Sequence, residues 1–158
     1  MSNNYTQFSI ALAVKNAELV DSVISFVDNI NEDDYETDDG EVVAVTIPSC
    51  FDEDDKDYLI ECIDQWGGAG TWQNENGELW VYAEESANLE AVTFILQKLL
   101  IADAIQGNYK DGIVITWANT CSKMRPEEFS GGACYVTKGE IHWQPDVISW
   151  IDGLLNFK

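Results

Sequence analysis

Apolar positions along the chain switch between period two and period 3.6, and the switches divide it into elements. Gln7–Val14 places Phe8, Ile10, Leu12 and Val14 at every second position, the pattern of a half-buried strand. After Asn16, a side chain suited to capping, Leu19, Val20, Val23, Phe26, Val27 and Ile30 recur at three and four, which predicts a helix. Glu41–Ile47 reads as a strand stopped by Pro48. Phe51–Trp66 returns to helical spacing, with Leu59, Cys62, Ile63 and Trp66 on one stripe and Gly67, Gly68 and Gly70 to end it. Thr71–Gln73 and Glu78–Glu84 flank an Asn-Glu-Asn-Gly turn and predict a β-hairpin.

The next helix, about 88–104, starts at Ser86 or Asn88 and is apolar nearly all round, so it is expected to lie buried against a sheet. Gly112–Trp117 is apolar without alternation, as an inner strand is. Asn119–Gly132 reads as a loop, and Ala133–Thr137 with Glu140–Trp143 as a second hairpin across Lys138-Gly139. Asp146 is placed to cap a short last helix containing Val147, Ile148, Trp150, Ile151, Leu154 and Leu155. Two hairpins and few crossovers predict a single α+β domain over 1–158, a mainly antiparallel sheet packed by about four helices. At 158 residues and 46% hydrophobic, the chain has the means to build a core and is too apolar to be disordered.

Charge is distributed unevenly along the chain. The chain carries 29 Asp and Glu against 8 Lys and Arg, a formal charge of −21. Residues 18–64 alone hold 17 acids and one base, Lys56. So negative a chain is not expected to bind nucleic acid directly or to dock on anionic lipid, since both need a positive surface. No apolar run is long enough to span a bilayer and the N-terminus lacks a basic-then-apolar leader, so the expected location is the cytoplasm.

From Leu79 onward, LWVYAEESANLE (79–90), WANTCSKMRPEEFSGGA (117–133) and VTKGEIHW (136–143) carry recognisable motifs. Over 79–143 the chain resembles a family of small uncharacterised proteins of bacteriophages and other bacterial mobile elements. It departs from the family pattern at Ser130 and Ala87, where glycine is usual. The resemblance implies a phage-type or mobile-element setting and assigns no catalytic residue. The acidic segment lies outside it.

Cys50, Cys62, Cys121 and Cys134 form no close pair, so buried thiols account for them better than zinc, and neither metal nor cofactor is expected. Cys121 sits near Ser122, Lys123 and Arg125, and His142 is the only imidazole; an enzyme using Cys121, His142 or Glu85, built from segments 84–86 and 119–132, is one alternative. A clamp in which Arg125 holds Glu84 or Glu85 is a structural reading of the same segments.

The strongest candidate is the acid itself. Asp54, Asp57, Glu61 and Asp64 recur at three, four and three, so a helix aligns them in one row. Asp52 begins that helix, and Asp33, Asp34, Asp38 and Asp39 crowd the preceding segment. Glu18, Asp21 and Asp28 supply further charge. Such a row resembles the phosphates of a nucleic acid and would attract a basic nuclease or other nucleic-acid-binding host protein. Tyr58 and Trp66 would anchor the helix or rim the contact. A plain solvated face is the simpler account of the same acids, and an oligomeric assembly protein is a further alternative. An EF-hand-like calcium loop is disfavoured because Asp52–Asp57 lacks the ligand order and glycine.

Overall fold

The computed structural model describes residues 4–31, 46–121, 130–145 and 147–156. Within them the chain runs β1 (Asn4–Ala13), α1 (Ala17–Asn31), α2 (Glu53–Trp66), β2 (Thr71–Glu75), β3 (Glu78–Ala83), α3 (Leu89–Ile101), β4 (Ile113–Cys121), β5 (Ser130–Val136), β6 (Ile141–Trp143) and α4 (Val147–Asn156). The strands form one six-stranded sheet ordered β2-β3-β1-β4-β5-β6, with every neighbouring pair antiparallel. The architecture is a single α+β domain. β3 and β4 both pair with β1, so α3 carries the chain across it from one side to the other.

Period-two alternation sorts the sheet into two faces. Leu12 pairs with Leu79, Ile10 with Val81, Val81 with Trp72, Ile115 with Cys134 and Ile113 with Val136, and all are buried. These residues meet Val20, Val23, Phe26, Val27 and Ile30 of α1 and the apolar residues of α2 and α3 in one core. On the other face Ser9, Ala11, Trp80, Thr116, Ala118 and His142 are exposed. There Trp80 donates to Ser9 Oγ at 2.8 Å and stacks on Tyr82 with ring centroids 4.0 Å apart.

The β2–β3 turn follows from its sequence. Asn76 and Gly77 adopt φ of 53° and 78°, so Glu75 pairs with Glu78 across a two-residue loop whose twist suits the hairpin. Asn88 rather than Ser86 caps α3, accepting from the backbone N–H groups of Glu90 and Ala91. The helix ends at Ile101, three residues short of the expected 104.

One expectation needs correction. Asn119–Gly132 is not a loop throughout: β4 continues to Cys121 and β5 starts at Ser130, with Asn119, Ala118 and Trp117 paired to Ser130, Gly131 and Gly132. Gly132 is a floor for Trp117, whose ring lies 2.3 Å from where a Cβ on Gly132 would be. The last helix forms as expected, and its side chains from Ile148 to Asn156 are exposed. The strand expected over Glu41–Ile47 falls outside the described residues up to Val45, and Thr46–Pro48 carry no regular structure. Asp146 also lies outside them.

Candidate functional site

Helix α2 is built to display charge on one side and to bury the other. Asp52 Oδ1 accepts from the Asp55 N–H at 2.8 Å, and Asp55 Oδ2 accepts from the Asp52 N–H at 3.0 Å, a reciprocal capping box made by two aspartates. Glu53, Asp54 and Asp55 complete a first turn in which the helix dipole favours negative charge. At the other end Gly67, with φ of 101°, returns its N–H to the Ile63 carbonyl at 2.9 Å.

Between the caps, Leu59, Cys62 and Ile63 are buried. Phe51 stacks between Phe26 of α1 and Phe94 of α3, at 5.4 and 6.3 Å between ring centroids. Tyr58 rests against Phe94 at 4.8 Å while remaining 43% exposed, and burial raises its hydroxyl pKa. Asn88 fastens the helix from below: its side-chain amide donates to the Cys62 carbonyl and to Cys62 Sγ, each at 3.0 Å, while its own oxygen caps α3.

The opposite side carries Asp54, Asp57, Glu61 and Asp64, all exposed. At 3.6 residues per turn the four fall within an arc of about 80°, and successive members are roughly 4.5–6 Å apart along the axis. Two lysines temper the first turn, Lys56 on Glu53 at 3.0 Å and Lys98 on Asp55 at 3.4 Å. Asp52 is exposed beside its capping partner. The neighbouring α1 exposes Glu18 and Asp28, the latter with its carboxyl pKa raised by partial burial; Asp21 accepts from Asn74 of β2 at 2.9 Å. Asp33, Asp34, Asp38 and Asp39 lie outside the described residues, as does the side chain of Trp66.

The segments of the enzyme alternative flank β1. Thr6 donates its backbone N–H to the Glu85 carbonyl at 2.7 Å and its hydroxyl to Asn119 Oδ1 at 2.9 Å, so one β1 residue touches both. The side chains of Glu84 and Glu85 are exposed beside a cavity of about 300 Å³ lined by Gly70, Thr71 and 82–86. Arg125 and the Cys121 side chain are outside the described residues, so the clamp and the thiol site both lie there in part. His142 stands exposed on β6, 3.3 Å from Glu140. Burial pushes the Cys50 and Cys134 thiols up to about 11, which leaves them protonated and unreactive at neutral pH. Among the described residues, no group of three or more His, Cys, Asp or Glu is arranged to hold a metal ion. No helix there is long and apolar enough to cross a membrane.

Two features escape a reading of the sequence. Lys15, Lys110 and Lys138 converge from three separate segments on a cleft of about 570 Å³, where they face Asp103 and Asp111. Lys15 bonds Asp103 at 2.6 Å and holds its carboxyl pKa below the ordinary value, with Lys138 adding to the effect. Isolated lysines far apart in sequence give no signal of such a meeting. The second feature is the exposure of α4, whose apolar spacing alone predicts burial.

Comparison with protein-family models, with curated proteins and with solved structures finds no match to this chain.

Proposed function

We propose that this protein is a non-enzymatic acidic binding protein that presents the α2 carboxylates to the basic nucleic-acid site of another protein. The observation that carries the reading is the exposed row Asp54, Asp57, Glu61 and Asp64, held by a capped helix whose other side is anchored in the core. Carboxylates at roughly 4.5–6 Å intervals along a rigid axis offer a cationic cleft a charge array of the same order of spacing as phosphates on one strand. A rigid array also forms its contacts without the ordering cost of a flexible acidic tail. The target we propose, a host nuclease or other nucleic-acid-binding defence factor, follows the phage or mobile-element setting expected from the motifs of 79–143.

The test is capture of host-lysate proteins on the immobilised chain, at low and high salt and with duplex DNA as competitor. Nucleic-acid-binding proteins should be retained, released by salt and displaced by DNA. With the retained protein, the quadruple variant Asp54→Asn, Asp57→Asn, Glu61→Gln, Asp64→Asn should associate about tenfold or more slowly, the scale of lost electrostatic steering. Capture that persists unchanged across salt, or in that variant, would refute the reading.

A further inference from the structure

Helix α4 is the apolar surface that the described fold leaves uncovered. At 3.6 residues per turn, Ile148, Trp150, Ile151, Leu154 and Leu155 share an arc of about 160°, and Ser149, Asp152 and Asn156 occupy the rest. The five apolar side chains are 39–68% exposed. A groove of about 500 Å³ adjoins the segment that leads into the helix. It is lined by Ala87, Asn88, Leu89 and Glu90 at the start of α3 and by Trp143, itself 44% exposed and edge-on to Trp117 at 5.9 Å. A ridge and a groove of matching chemistry thus lie within a few residues of each other on one chain.

We propose that α4 is a self-association element through which two copies pair about a twofold axis. Each copy buries its α4 on the other's α4, with the Trp143 groove at the flank. Area is compatible with this occupant: five side chains exposing on the order of 100 Å² each give about 1,000 Å² for a reciprocal pair, the minimum for a specific interface, before the flanking groove adds to it. A twofold contact is self-complementary and needs no second species. Charge supports it as well. The helix holds a single charged residue, Asp152, whereas 17 of the 29 acids belong to 18–64. The α4–α4 contact itself therefore opposes only the two copies of Asp152. A lipid surface is the poorer occupant, because α4 has no basic residue to hold an anionic headgroup.

The pairing has a salt dependence opposite in sign to that of the proposed acidic contact. Screening relieves repulsion between the two copies, so self-association strengthens with salt, while attraction to a basic partner weakens. Sedimentation equilibrium of the full chain, at about 0.05 and about 0.5 M NaCl, reads both the stoichiometry and this sign. A dimer that tightens with salt is expected. Leu154→Asp and Ile151→Asp should each raise its dissociation constant at least tenfold with unchanged circular dichroism, since α4 stands clear of the core. Asp57→Asn, distant in sequence and on the acidic row, should leave the dimer formed. A monomer at every concentration and both salts overturns the proposal; so does a dimer that weakens with salt or is indifferent to both α4 substitutions. The acidic reading stands or falls separately, on capture of a basic protein.

Discussion

Helices α3 and α4 are both strongly apolar, yet α3 buries Ala91, Val92, Ile95, Leu96, Leu99 and Leu100 while α4 exposes Ile148, Trp150, Ile151, Leu154 and Leu155. The difference lies in what each helix connects. α3 joins β3 to β4, two strands on either side of β1, so its path must cross the sheet and its apolar surface is pressed onto it. α4 follows β6, the edge strand, and no later strand among the described residues draws it back. Apolar periodicity says that a helix has a surface to bury. Connectivity decides whether its own sheet is there to receive it.

The largest expected effect comes from truncating the two helices in parallel. Leu96→Ala in α3 should cost about 2–5 kcal/mol of unfolding free energy, because a fully buried side chain leaves a cavity. Leu154→Ala in α4 should change the stability of the isolated chain by no more than about 0.5 kcal/mol, as at an ordinary surface position. Urea denaturation at dilute protein concentration measures both. A cost for Leu154→Ala comparable with that of Leu96→Ala would show α4 to be packed on its own chain and would dissolve the contrast.

Next in size is Asn88→Ala, at a buried side chain that ties the start of α3 to α2. It removes the cap of α3 and leaves the Cys62 carbonyl without its 3.0 Å donor, so about 2–4 kcal/mol should be lost. Asn88→Ser retains a capping oxygen and should recover only part of this, since a serine is too short to reach Cys62. Full recovery by serine would mean that the bridge to α2 contributes nothing. Gly132→Ala tests the β4–β5 pairing in the same experiment. A methyl group meeting the Trp117 ring forces the indole to move, at a cost of about 1–3 kcal/mol, and should disturb the Trp117–Trp143 pair as a change in near-ultraviolet circular dichroism.

These residues also mark how far the sequence could be read. The Asn76-Gly77 turn and the two faces of α2 were legible because the determinants are local: positive φ at two residues, and apolar and acidic positions at helical spacing. The sheet's α+β class followed from the order of such local elements. The ends of β4 and β5 were not legible, because Asn119, Ser130, Gly131 and Gly132 have loop-like chemistry and become strand only through pairing across the sheet. Gly132 is in addition shaped by a ring 15 residues away in sequence. The lysine cleft depends on three segments meeting in space, which no single stretch of sequence records. Of the candidate site, the row on α2 was legible in full, while its supports, Asn88 and the Phe26–Phe51–Phe94 stack, are tertiary.

A smaller effect separates the lysine cleft from the acidic helix by pH. Asp103 has its carboxyl pKa lowered by the hydrogen bond and charge of Lys15, so its contribution to stability is present above the ordinary value of 3.8 and is lost as pH falls through the folded value. Asp103→Asn, which also tolerates the φ of 56° found there, should forgo the pair's contribution at neutral pH and so flatten the acid-side loss. Asp28 has the opposite sign: its raised carboxyl pKa favours the folded state at low pH and the benefit fades as pH rises through the folded value. If Asp103→Asn shows the same acid-side loss as the parent chain, the Lys15 pair is not its source.

The smallest effect on stability bears most directly on function. Asp57 has Glu53 and Asp54 one turn before it and Glu61 one turn after, so like charges surround it on the helix surface. Each such pair is unfavourable by about 0.2–0.5 kcal/mol at low salt, so Asp57→Asn should stabilise the fold by a few tenths of a kcal/mol. The gain should vanish as salt screens the pairs. Asn and Asp have similar helix propensities, which makes the substitution a clean test of charge. Under the proposed function the same change slows association with a basic partner. An acidic row that opposes folding yet speeds binding is explained by what it meets; one that is neutral to both is only a solvated face. Measuring the sign of both changes in this single variant distinguishes the two.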